Sequence, residues 1–67
     1  MPQAKTSTYA LRREAKISQG QLARKADLDP GTVSAAENGK NISDNTRLKL
    51  AGAFTELLGR EIRPEDV

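Results

Sequence analysis

Residues 17–39 read Ile17-Ser18-Gln19-Gly20-Gln21-Leu22-Ala23-Arg24-Lys25-Ala26-Asp27-Leu28-Asp29-Pro30-Gly31-Thr32-Val33-Ser34-Ala35-Ala36-Glu37-Asn38-Gly39. Two helix starts are written here, one tight turn apart. Ser18 and Gln21 stand at capping-box spacing. A Ser hydroxyl at the cap accepts from a backbone N–H three residues on, and the Gln side chain reaches back to the cap. Ile17 before the cap and Leu22 at the fourth helical position fit a hydrophobic staple. Leu22, Ala23 and Ala26 then share one helical face. The spacing predicts a helix over about 18–26. Asp27-Leu28 makes the turn, with Asp27 able to take the left-handed conformation that Asp tolerates better than most residues. Asp29 caps the next helix and Pro30 fills its first position, where an N–H would have no helical partner anyway. Asn38-Gly39 stops that helix, which spans about 30–37.

Outward from this stretch the chain divides into further short helical units. Thr6 or Ser7 caps a first helix running to about Lys16. Ser43 or Asp44 caps a fourth, and Gly59 ends it. Its apolar positions Leu48, Leu50, Ala51, Phe54, Leu57 and Leu58 form a wide stripe suited to a core. Arg63-Pro64-Glu65-Asp66 opens a short fifth helix, with Pro at the first position and acids near the positive end. β-branched residues are scattered and no alternating run is long enough for a strand. The expectation is an all-α fold, a compact bundle of four helices plus a short fifth. Residues 1–6 form a flexible arm and residues 7–67 one domain.

Composition narrows the function classes. A chain of 67 residues buries a modest core and is stable by only a few kcal/mol, on the order of 0.1 per residue. It contains no Cys and no His. That removes disulfides, thiolate metal sites, the commonest metal ligand and the commonest general base. Gly20, Gly31 and Gly39 fall at helix ends rather than in a phosphate-cradling loop. Glu61, Glu65 and Asp66 read as a solvated, capping-rich tail. The expectation is therefore no enzyme: no catalytic residue, metal site, cofactor or small-molecule ligand.

The opening residues lack the apolar stretch of a signal peptide, and no apolar run approaches a membrane span. The absence of Cys fits a reducing cytoplasm. Two aromatic residues, Tyr9 and Phe54, are too few for a single-strand binder built on stacking. Formal net charge is only +2, but it is uneven. Residues 1–28 carry six cations (Lys5, Arg12, Arg13, Lys16, Arg24, Lys25) against Glu14 and Asp27, whereas residues 29–67 carry five against seven carboxylates. The basic half either faces phosphate or is an ordinary solvated surface; charge alone does not separate the two.

Several fragments form one pattern: Leu11-Arg12, Ile17-Ser18-Gln19, Leu22-Ala23, Val33, Glu37-Asn38-Gly39-Lys40, and the apolar set Leu48, Leu50, Ala51 and Phe54. Over roughly residues 8–67 this pattern resembles the helix-turn-helix of phage repressor and Cro proteins, often called the XRE family. The resemblance implies a lambda-repressor-like fold that binds double-stranded DNA with its third helix in the major groove. It implies a transcriptional regulator, a repressor acting as a homodimer on a two-fold operator, with Leu57 to Val67 as the place for the partner contact. Gln19 would donate to a DNA phosphate beside the helix amino end; the alternative is a solvated Gln in a capping region. Asn38 and Gly39 would let the backbone approach DNA, although a plain helix stop needs the same residues. Lys40 and Asn41 match a loop that touches phosphate or a base edge. Arg12 and Glu37 resemble a partly buried structural salt bridge.

The third helix departs from that pattern. Its outward positions are Gly31, Thr32, Ser34 and Ala35 after Pro30, and none makes a bidentate contact to guanine or adenine. Thr32 and Ser34 offer single hydrogen bonds, and the Thr32 methyl and Ala35 can touch a thymine methyl. Asp29 suits phosphate poorly unless capping absorbs its charge. Affinity would then lean on phosphate contacts and DNA shape. The rival reading is a protein-interaction module, an antitoxin or adaptor, that keeps the fold without DNA readout. Arg47 stands where the family has an apolar residue, so helix four should start more exposed. Gln3 and Lys5 either wrap into a neighbouring groove or belong to a disordered start.

Overall fold

The computed structural model describes residues 6–67; the reading of Gln3 and Lys5 lies outside them. Four α-helices follow in order: α1 (Ser7–Ala15), α2 (Gln19–Ala26), α3 (Pro30–Glu37) and α4 (Asp44–Leu58). No strand occurs among the described residues. No helix among them is long and apolar enough to cross a membrane.

One device starts all four helices. Thr6, Ser18, Asp29 and Ser43 each sit in extended backbone and accept from the N–H three residues on. The α2 start is a full capping box, with the Ser18 N–H donating to Gln21 Oε1 at 2.8 Å and the Gln21 N–H donating to Ser18 Oγ at 3.1 Å. Left-handed residues end α1, α2 and α4: Lys16 (φ 60°), Asp27 (φ 58°) and Gly59 (φ 70°). In the α2–α3 turn the Leu28 N–H returns to the Ala23 carbonyl at 2.8 Å, which closes the turn around Asp27.

The expected fifth helix is a single 3-10 turn, Pro64–Asp66. Pro64 has no N–H to give, and Asp66 and Val67 bond three residues back, to the Arg63 and Pro64 carbonyls. That tighter spacing is the usual form of very short helical pieces.

α2 packs on α3 and α4, and α1 also packs on α3 and α4. Leu22, Val33, Leu50 and Phe54 are fully buried at the centre. Ala23, Ala26 and Ala36 are also buried, and their small side chains let α2 and α3 lie close. The α4 stripe is narrower than its apolar pattern suggests. Leu50, Ala51, Ala53 and Phe54 are buried, but Leu48 is 59% exposed. Leu48 lies two residues before Leu50, which at about 100° per residue turns it away from the core. Leu57, in the last turn, is 36% exposed. The core gains Ile62 from beyond the helix. Its N–H donates to Thr55 Oγ1 at 2.9 Å, and the Thr55 hydroxyl donates to the Ala51 carbonyl at 2.8 Å.

Candidate nucleic-acid interface

The amino end of α2 meets the carboxyl end of α3 around one buried carboxylate. Glu37 is only 3% exposed. Such a charge is tolerable in the interior only if it is paired and hydrogen-bonded. The Arg12 guanidinium supplies both: Nε donates to one Glu37 oxygen and Nη2 to the other at 3.1 Å. Arg12 Nη1 also donates to the Ile17 carbonyl at 2.8 Å, so α1 holds the residue before the α2 cap. The hydrogen bond to Glu37 raises the Arg12 pKa above its already high ordinary value. Thr6, besides capping α1, donates from its hydroxyl to the Glu37 carbonyl at 3.2 Å.

Gln19 belongs to the same cluster. Its Nε2 donates to Glu37 Oε1 at 3.0 Å, and the residue is half-buried. It is thus not a freely solvated capping residue. A carboxamide carries two N–H donors and a carbonyl acceptor, so one N–H and the oxygen are left over. The sequence singled out Gln19, Arg12 and Glu37; that the three meet required the crossing of α1, α2 and α3.

The outer face of α3 is small. Gly31 is exposed, and Thr32, Ser34 and Ala35 are half-buried. The two hydroxyls expected to offer single hydrogen bonds to bases have intrachain partners. The Thr32 hydroxyl donates to Asp29 Oδ2 at 3.3 Å, the oxygen that also accepts the Thr32 N–H. Asn38 Nδ2 donates to Ser34 Oγ at 3.5 Å. Each hydroxyl oxygen keeps lone-pair capacity toward solvent. Asp29 is occupied with capping, which answers the objection to an acid at this helix end.

Asn38, Gly39, Lys40 and Asn41 follow as an exposed connection to α4. Gly39 has φ 77°, a left-handed value that favours glycine. Lys40 and Asn41 edge an open depression shared with Thr8, Ile42, Arg47 and Val67. Arg47 is half-buried rather than simply exposed, because its Nη1 donates to the Val67 carbonyl at 3.1 Å.

The cations sort into two groups. Lys25 pairs with Glu56 at 2.6 Å, Lys49 with Asp27 at 3.8 Å, Arg60 with Glu14, and Arg63 with Glu61 and Glu65. The hydrogen bond from Arg60 lowers the Glu14 pKa, and that from Lys25 lowers the Glu56 pKa. Among the described residues, Arg13, Lys16, Arg24 and Lys40 have no carboxylate partner. Charge without an internal partner is what an anionic ligand can use.

A family model described as helix-turn-helix matches residues 9–56, most of the chain. No curated protein and no solved structure matches it. With capped helices on both sides of the Asp27 turn and a small outer face on α3, the chain belongs to the helix-turn-helix family of DNA-binding regulators, of the repressor and Cro type.

Proposed function

We propose that this protein binds double-stranded DNA sequence-specifically as a transcriptional repressor, with α3 in the major groove. The observation that carries the reading is the outer face of α3. It is small, lacks an uncapped charge, and fits a groove about 12 Å wide. Gln19 gives its remaining N–H to a phosphate at the amino end of α2. Asn38 and Gly39 bring the backbone up to the DNA, and Lys40 and Asn41 contact phosphate or a base edge. Gly31, Thr32, Ser34 and Ala35 face the bases, so direct readout is modest and DNA shape contributes. Residues 7–67 act as one DNA-binding unit, with Thr6 capping its first helix; the reading of residues 1–5 as an arm lies outside the described residues. One such module buries too little surface for high specificity, so two copies act on a two-fold operator. Their contact lies between Leu57 and Val67.

The test is titration of labelled random-sequence duplex at two salt concentrations, followed by selection of bound sequences. Salt-sensitive binding that enriches a two-fold symmetric motif supports the proposal and gives the half-site spacing. Absence of binding at low salt overturns it in favour of a protein-interaction module. That second reading draws on one observation, the engagement of both α3 hydroxyls within the chain.

A further inference from the structure

α1 has two flanks with opposite electrostatic fates. On one, Glu14 is bound by Arg60 from the tail, so both charges are satisfied. On the other, Arg12 turns toward Glu37, and about 200° of helix separates it from Glu14. Tyr9 lies on the Arg12 side, three residues earlier. The Arg12 guanidinium carbon sits 5.5 Å from the Tyr9 ring centroid and that of Arg13 sits 5.8 Å from it. Arg13 Nη1 also donates to the Tyr9 hydroxyl at 3.2 Å. Tyr9 therefore holds Arg13 next to the Arg12–Glu37–Gln19 cluster. Lys16 closes α1 on the way to the α2 cap, one residue before the carbonyl that Arg12 binds.

Glu37 neutralises Arg12, whereas Arg13 and Lys16 are exposed and have no carboxylate partner among the described residues. Two like charges three residues apart weaken a helix end slightly. The aromatic ring reduces the freedom that Arg13 would lose on meeting an anion. Their potentials add to that of the α2 amino end, three residues beyond Lys16.

We propose that Tyr9, Arg13 and Lys16 form a phosphate-contacting strip on α1, beside Gln19, that extends the DNA contact beyond α2 and α3. The ligand is the duplex backbone, a regular line of phosphates that rewards a row of unpaired cations whatever the base sequence. This inference rests on the DNA-binding reading above.

The experiment measures affinity for one random-sequence duplex across a salt series. It compares the unmodified 67-residue chain, Arg13→Gln/Lys16→Gln, and Lys25→Gln/Lys49→Gln, a control with the same loss of charge from carboxylate-paired positions. Circular dichroism checks folding. Lys16→Gly, suited to φ 60°, replaces Lys16→Gln if the latter does not fold. The expected result is a log–log salt slope shallower by about 2 for the α1 double variant, with roughly tenfold weaker binding at the low-salt end. The control should keep the slope of the unmodified chain. An unchanged slope in the α1 variant, or an equal change in the control, overturns the strip while leaving DNA binding intact. If the unmodified chain binds no duplex at low salt, the DNA-binding reading itself fails, and the strip with it.

Discussion

The joint of α1, α2 and α3 and the outer face of α3 lie on the same short helix but obey different physics. At the joint, a carboxylate 4% exposed receives donors from Arg12 and Gln19, and no buried side-chain polar atom among the described residues lacks a partner. On the outer face the side chains are small, partly exposed and bonded only to neighbours three or four residues away. A buried charge network tolerates almost no change, because losing one partner strands the other in a low dielectric. A small exposed face tolerates change easily, because water replaces what is lost. Geometry and the proposed readout therefore fall to separate residues, and Gln19, bonded to Glu37, is the member of the joint proposed to reach a DNA phosphate as well.

The largest effect should come from breaking the joint. Glu37→Ala is expected to cost about 3–5 kcal/mol by leaving Arg12 partly buried without its carboxylate. Urea or thermal unfolding followed by circular dichroism reads this directly. A melting curve like that of the unmodified protein would mean the pair is peripheral to stability.

Gln19→Ala sharpens the contrast. Glu37 keeps both bonds from Arg12, so the stability loss should be about 1 kcal/mol, that of one hydrogen bond. DNA affinity should nevertheless fall, and by similar factors on selected and random duplexes, since phosphate contacts carry no sequence information. Unchanged affinity on both would remove Gln19 from the interface and leave it a purely internal residue.

Ser34→Ala probes the other side of the comparison. Its stability should stay within about 0.5 kcal/mol of the parent, as for exposed positions generally. Preference at one base position in the selected motif should relax by about 1 kcal/mol, a single hydrogen bond's worth. A changed melting temperature with an unchanged motif would reverse the assignment.

The smallest effect concerns the paired surface. Arg60 holds the folded-state pKa of Glu14 below its ordinary value, so the folded chain binds protons there less readily than the unfolded one. The resulting stability is present above the unfolded carboxyl pKa and is lost as pH falls through the folded one. Glu14→Gln should flatten the acid limb of a denaturation-midpoint profile slightly and leave neutral pH nearly unchanged. An acid limb of the same steepness would assign the loss to other carboxylates, Glu56 first.

Much of the architecture could be read in advance because its signals are local. A cap and its target lie three residues apart, a staple spans five, and a stop signal needs one left-handed residue. Ser18, Asp29, Asp27 and Gly59 thus announce the boundaries of α2, α3 and α4 from a few neighbours each. The candidate site was legible as residue types and, through the family resemblance, as the Arg12–Glu37 pair, while the bond that brings Gln19 into that pair was not. Nothing within a few positions of Gln19 says that its amide meets Glu37, eighteen residues on.

Burial followed the same division. An apolar pattern names residues that could enter a core, but helix crossing selects among them. It left Leu48 in water, drew in Ile62 from the tail, and buried the hydroxyl-bearing Thr8. The tail became a 3-10 turn, with its Arg63 N–H donating to the Asp66 carboxylate at 3.0 Å. Capping and turn energies act along the chain over distances the sequence displays. Packing and ion pairing act across space, between segments whose separation along the chain carries no record of their contact.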